Sequence, residues 1–138
     1  MATVYQEIEI EQAADFVWER LRDFGALSER LVPGFVTECQ LEDEGQVRMV
    51  TFFNGRVVRE RLVGLDERAM RISYTVLGGA ATHHQASAQV FAEADRRARL
   101  VWITDVLPDA LAEPMAAMME RGAQVMKRTL ESASAGAA

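Results

Sequence analysis

From Gly34 to Pro108 the hydrophobic positions recur every second residue, whereas on both sides of that stretch they recur every three or four. A period of two marks strands with one buried face, and a period near 3.6 marks amphipathic helices. The chain opens with a strand, TVYQEIEI, in which Val4, Ile8 and Ile10 share one face and Tyr5, Glu7 and Glu9 the other. QAADFVWERLRDFG follows, with Phe16, Val17, Leu21 and Phe24 near helical spacing and Gly25 as its stop. GALSERL predicts a second short helix, ended by Pro33 and Gly34. Strands are then predicted at GFVTECQLED, QVRMVTFF, RVVRERLVGLD, MRISYTVL, THHQASAQVFAE and ARLVWITDVL. Glu44-Gly45, Asn54-Gly55, Asp66-Glu67, Gly78-Gly79 and Asp95-Arg96 separate them, and turns so tight give antiparallel hairpins. The last element is a long helix with Pro114 in its first turn. Met115, Met118, Met119, Gly122, Val125, Met126, Thr129 and Leu130 form its apolar stripe, opposite Glu120, Arg121, Gln124, Lys127, Arg128 and Glu131.

The order is therefore strand, two short helices, six strands, long helix: an α+β chain with a seven-stranded antiparallel sheet. The sheet has one face to cover, and the only large apolar element left is the C-terminal helix. A strongly curved sheet wrapped around that helix meets both needs. A curved sheet and a helix cannot touch everywhere, so a pocket is expected where they part. No repeat or linker divides the chain, which predicts one domain over 1–132, and ASAGAA at 133–138 has nothing to pack and is expected to be a disordered tail.

Charge and composition narrow the function. The net charge of −6 comes from 21 acidic against 15 basic residues, scattered along the chain, which argues against nucleic acid and against an anionic membrane surface. Cys39 is the only cysteine, so no internal disulfide forms, as expected of a cytoplasmic protein. MATVYQEIEI alternates with acids and does not read as a signal peptide. No segment approaches the roughly 20 apolar residues of a membrane span. Two histidines and one cysteine supply no metal-ligand spacing. Neither a Gly-rich phosphate loop nor a nucleophile elbow appears, and no cofactor is expected.

Strand parity selects the side chains that face the pocket. Glu60 lies between Val58 and Leu62 on one face, with Val57, Arg59 and Arg61 on the other. A carboxylate among apolar neighbours needs a partner or a proton, so Glu60→Leu is expected to leave stability unchanged or raised while weakening a ligand. In the adjacent pair His83-His84, His84 shares a face with Ala86, Ala88 and Val90, and His83 with Gln85, Ser87 and Gln89. His84 is the inward one, suited to proton transfer or to a hydrogen bond with a ligand. Tyr74 lies with Ile72 and Val76 on an apolar face, where its hydroxyl wants a partner such as Glu60 or a ligand. Arg48 depends on one turn. A two-residue Asn54-Gly55 turn pairs Met49 with Glu60 and sends Arg48 outside, whereas a three-residue loop turns Arg48 inward beside Glu60. Asn-Gly favours the two-residue turn. On the last helix Met115, Met119, Gly122 and Met126 are the candidate lid, thioethers being adaptable and Gly122 permitting either close approach or space.

FVWERLRDFGAL, VPGF, EGQVR and RERLVGLDERAMRISYTVLGG, with a tryptophan on the last strand and a terminal amphipathic helix, resemble the helix-grip proteins of the START-like (SRPBCC) superfamily. That superfamily includes the polyketide cyclases, the birch-pollen-allergen-like proteins and the plant abscisic acid receptors. The resemblance spans nearly the whole chain. It implies a hydrophobic ligand held between sheet and helix, strengthens Glu60 through the ERL pattern, and turns Trp102 and Thr104 inward. It also favours an inward Arg48, since relatives often carry an arginine after the glycine of EGQVR. Leu31 or Val32 stands where many relatives have a tryptophan. Pro33 and Gly34 stand where the hormone receptors have a lysine for a ligand carboxylate. The bare FFNGR turn replaces their gate and AATHH their latch, so hormone sensing is not carried over.

Three readings follow. The first is a binding protein for a small hydrophobic molecule, lipid-, polyketide- or aromatic-like, in a cavity lined by Val58, Glu60, Leu62, Tyr74, Val76, His84, Ala86, Trp102, Thr104 and the lid residues. The second is a cyclase or dehydratase in which His84 or Glu60 acts as acid–base. The third is an interaction module with a collapsed cavity. A homodimer is compatible with all three.

Overall fold

The computed structural model describes residues 1–136. Seven strands, β1 (Ala2–Ile10), β2 (Val36–Glu42), β3 (Val47–Phe52), β4 (Val57–Asp66), β5 (Arg71–Leu77), β6 (His83–Ala94) and β7 (Arg97–Leu107), form one antiparallel sheet in the order β1-β7-β6-β5-β4-β3-β2. Helix α1 (Ala14–Leu21) and a single wide π-type turn, Leu27–Leu31, separate β1 from β2, and α2 (Ala112–Gly136) ends the described chain. This is the seven-stranded helix-grip arrangement expected. The tail expected at 133–138 falls partly in the last turns of α2 and partly outside the described residues.

Helix α1 stops at Leu21, short of Gly25, and buries Ala14, Val17, Trp18 and Leu21. Gly25 has a different task from the one its position suggested. A Cβ there would lie 2.9 Å from the Leu41 side chain, so the missing side chain admits β2. Phe16 remains partly exposed beneath the Arg20 guanidinium, 3.8 Å from its ring centroid.

The two halves of α2 meet different surroundings. Ala123, Met126 and Leu130 are buried with α1 and with Ile8, Ile10 and Leu100 of the sheet. Gln12 Nε2 donates to the Leu130 carbonyl at 2.7 Å, which fixes this end against β1. Pro114, Met115, Met118 and Met119 at the other end instead face open volume.

The β3–β4 hairpin carries the main correction to the strand register. The Phe52 N–H donates to the Arg56 carbonyl and the Gly55 N–H to the Phe52 carbonyl, both at 2.9 Å, enclosing a three-residue loop at 53–55. Gly55 takes φ +86, the left-handed position that closes such loops, and Asn54 Oδ1 caps the Arg56 N–H at 3.0 Å. Arg48 is therefore opposite Glu60, not Met49, and both side chains turn inward. The two-residue reading of Asn54-Gly55 fails by one residue, and one residue is enough to exchange the faces of a strand.

Candidate functional site

The cavity between the sheet and the first turns of α2 has a volume of about 360 Å³. Val58 and Glu60 of β4, Tyr74 and Val76 of β5, His84 of β6, and Trp102 and Thr104 of β7 form its floor; Met115, Met118 and Met119 form its roof. Phe35 and Phe52 close one side, and Gly78, Gly79, Ala80 and Arg56, all exposed, stand at the mouth. A smaller chamber of about 70 Å³ lies behind Phe35, Phe52, Glu60, Tyr74 and Trp102, which border both spaces.

The register explains how side chains from four strands converge. Leu62, Tyr74, Ala86 and Thr104 form one cross-strand row, and Glu60 and Val76 lie in the next. Pairing between β5 and β6 ends at Tyr74 and Ala86. Beyond that point the Val76 N–H donates to His84 Nδ1 at 3.1 Å, and the Thr75 hydroxyl donates to the His84 carbonyl. A side chain takes over where the ladder stops.

Glu60 and Arg48 form a buried ion pair. Arg48 Nε donates to Glu60 Oε1 at 2.8 Å, with side chains only 7% and 11% exposed. Arg48 also reaches the Phe24 carbonyl at 3.4 Å, and its guanidinium lies 4.2 Å from the Phe24 ring centroid and 5.0 Å from that of Tyr74. Glu60 is thus not the lone carboxylate that strand parity alone implies. Trp102 Nε1 donates to the Tyr74 hydroxyl at 3.0 Å, so a residue on β7 supplies a partner and the hydroxyl keeps its own proton to donate. Burial raises the Tyr74 hydroxyl far above its ordinary value, and the neighbouring Glu60 carboxylate pushes the same way.

His84 is buried and His83 exposed. Burial lowers the His84 pKa and His83 adds to the effect, against the opposing influence of Glu60. Its tautomer follows from the hydrogen bond. Nδ1 accepts from the Val76 amide, so in the neutral ring the proton sits on Nε2. No buried side-chain N or O in the described residues is both sealed and unpartnered. Glu60 Oε2, His84 Nε2 and Thr104 Oγ1 have no hydrogen-bond partner among the described residues and are not sealed, and all three residues line the cavity. The polar part of the site comprises an acceptor, a donor and a hydroxyl set in hydrocarbon.

Four expected residues lie elsewhere. Leu62 packs against the core, half-buried, and Ala86 is 1% exposed within it. Tyr74 and Trp102, opposite Ala86 and Ala88 in the register, take the volume those alanines release. Met126 borders only the smaller chamber. Gly122 serves close approach: a Cβ there would meet the Phe35 ring at 3.0 Å and Trp102 at 3.4 Å. Parity missed Phe35, which precedes β2, along with the mouth residues, which belong to turns. Met118 was legible in the helical stripe.

A curved sheet gripping a terminal helix, with an apolar cavity carrying a few polar groups, defines the class. Residues 1–133 match the family described as polyketide cyclase / dehydrase and lipid transport, and the chain belongs to that family. No curated protein matches it by sequence. Among solved structures, one from Thermobifida fusca is 27% identical, covering 89% of this chain and 85% of its own, with a TM-score of 0.73. The Zhui aromatase/cyclase from a Streptomyces species is 21% identical over 95% of this chain and 92% of its own, TM-score 0.75. A START superfamily protein from Mycobacterium smegmatis is 14% identical over 94% and 97%, also with a TM-score of 0.75. The last two likenesses are of fold.

Proposed function

We propose that this chain binds a small, largely hydrophobic molecule in the cavity between β4–β7 and the first turns of α2. The observation that supports the reading is an open, apolar volume of about 360 Å³ lined by Glu60, His84 and Thr104, each with a polar atom that makes no hydrogen bond among the described residues. Apolar burial contributes about 0.8 kcal/mol per methylene, and the few polar groups set orientation. Among the described residues no helix is long and apolar enough to cross a membrane.

The His84 tautomer favours binding over acid–base chemistry at that residue. A general base needs a free lone pair at Nε2, which requires the proton on Nδ1, where the Val76 N–H already points. His84 is a hydrogen-bond donor to whatever occupies the cavity. A catalytic reading, suggested by the relative named an aromatase/cyclase, rests on Glu60, whose Oε2 is available while Arg48 holds Oε1. Native mass spectrometry of the protein purified from its own host, beside Val76→Phe, tests the binding reading. The expected result is a retained small molecule in the parent chain and none in the filled variant. An equal adduct in both, or none in either under gentle desolvation, overturns it.

A further inference from the structure

We infer that the ligand enters with a neutral, hydrogen-bond-donating end inward against Glu60, and that the cavity discriminates against molecules headed by a carboxylate. The inference rests on the ligand-binding reading above and adds the chemistry of the bound end. Glu60 Oε2 can only accept, so the group that meets it must donate. His84 Nε2–H can only donate, so a neighbouring ligand atom must accept. The Thr104 hydroxyl adapts to either, and the Tyr74 hydroxyl, which accepts from Trp102, can donate. An alcohol or phenol can donate to Glu60, and its oxygen, unlike a methyl group, can also accept from a neighbouring donor. A carboxylate offers Glu60 only lone pairs and a like charge in a low-dielectric wall.

The placement of cations sharpens the choice. Arg48, the one buried guanidinium among the described residues, is engaged by Glu60 and borders the smaller of the two chambers. The guanidinium groups bordering the larger cavity are those of Arg56 and Arg59, both exposed at its mouth. Glu42 takes Arg59 at 2.8 Å, which leaves Arg56 without an ion-pair partner among the described residues. An anionic ligand therefore has one favourable pose, carboxylate outward at Arg56, and that pose turns hydrocarbon toward Glu60, His84 and Thr104. Polar groups so deserted lose the hydrogen bonds that water supplied. Glu60 and His84 stand two strand spacings apart, about 10 Å at the backbone, with Val76 between them. A ring bearing a hydroxyl can span that floor.

Titration calorimetry near pH 7.5 with 2-naphthol, 2-naphthoate and 2-methylnaphthalene, three probes of similar size, tests the inference. Naphthol should bind the parent chain about tenfold or more tightly than either of the others. Glu60→Gln, which keeps an acceptor for Arg48, should weaken naphthol and leave naphthoate unchanged or tighter. Naphthoate binding as well as naphthol overturns the inference while leaving the ligand-binding reading intact. Failure of all three probes to bind overturns the inference for ring-sized ligands, while the retained-ligand measurement above separately decides the binding reading. The comparison on the parent chain holds whether or not the Gln variant folds.

Discussion

Replacing Glu60 by leucine measures what the buried ion pair contributes, and the structure reverses the sign expected of a solitary carboxylate. With side chains only 7% and 11% exposed, Arg48 and Glu60 are barely screened by water. Removing one member leaves an uncompensated buried charge, which typically costs about 3–5 kcal/mol. Arg48 would retain the Phe24 carbonyl at 3.4 Å and the ring faces of Phe24 and Tyr74. Because Arg48 keeps these cation–π contacts after Glu60 is gone, its charge is not wholly uncompensated, which places the loss at the lower end of that range, about 3 kcal/mol. That is a large share of the roughly 5–15 kcal/mol that holds a domain folded. Arg48→Met with Glu60→Leu removes both charges and refills the space with hydrocarbon, so the double variant should return to within about 1 kcal/mol of the parent or exceed it. Urea denaturation of the parent, both single variants and the double variant closes the cycle, provided the m-values agree. A Glu60→Leu chain as stable as the parent, or a double variant weaker than both singles, would refute the argument.

Other outcomes follow from single contacts. Because the folded state resists a proton on His84 that the unfolded chain accepts near the ordinary value of 6.5, stability should fall as the pH drops below that value and be unaffected by this residue above it. His84→Gln should flatten this limb of the stability–pH curve, and an unchanged slope would contradict the burial assigned to the ring. The raised Tyr74 hydroxyl acts at the other end: stability should decline above pH 10, where only the unfolded chain readily ionises, and Tyr74→Phe should remove that decline. Trp102→Phe deletes the donor to Tyr74 and should lower stability by about 1 kcal/mol in denaturant titration, with no loss expected if the two rings are not joined. Gly122→Val drives a branched side chain into the Phe35 ring, 3.0 Å from the Cβ position, and should cost about 1–3 kcal/mol as a lowered Tm, whereas an unchanged Tm would deny the close approach.

The alternation of Val4, Ile8 and Ile10, the stripe from Met115 to Leu130 and the spacing of tight turns were enough to define the strands, the terminal helix and the curved sheet around it, because burial of one face imposes its period on the residues. The same logic turned Glu60, Tyr74 and His84 inward. What parity could not supply was the register across a turn. Asn54-Gly55 fits a two-residue loop by composition, and only the folded hairpin, with Gly55 in the left-handed region and Phe52 bonded to Arg56, brings Arg48 opposite Glu60. Nor could it distinguish a wall residue from a core residue on the same face. Val76 and Ala86 have equal claims by parity, yet one borders open volume and the other is sealed beside Tyr74. Periodicity along a chain reports which face of an element is covered. What covers it depends on how far the sheet bends away from the helix, and that is decided by packing among residues distant in sequence.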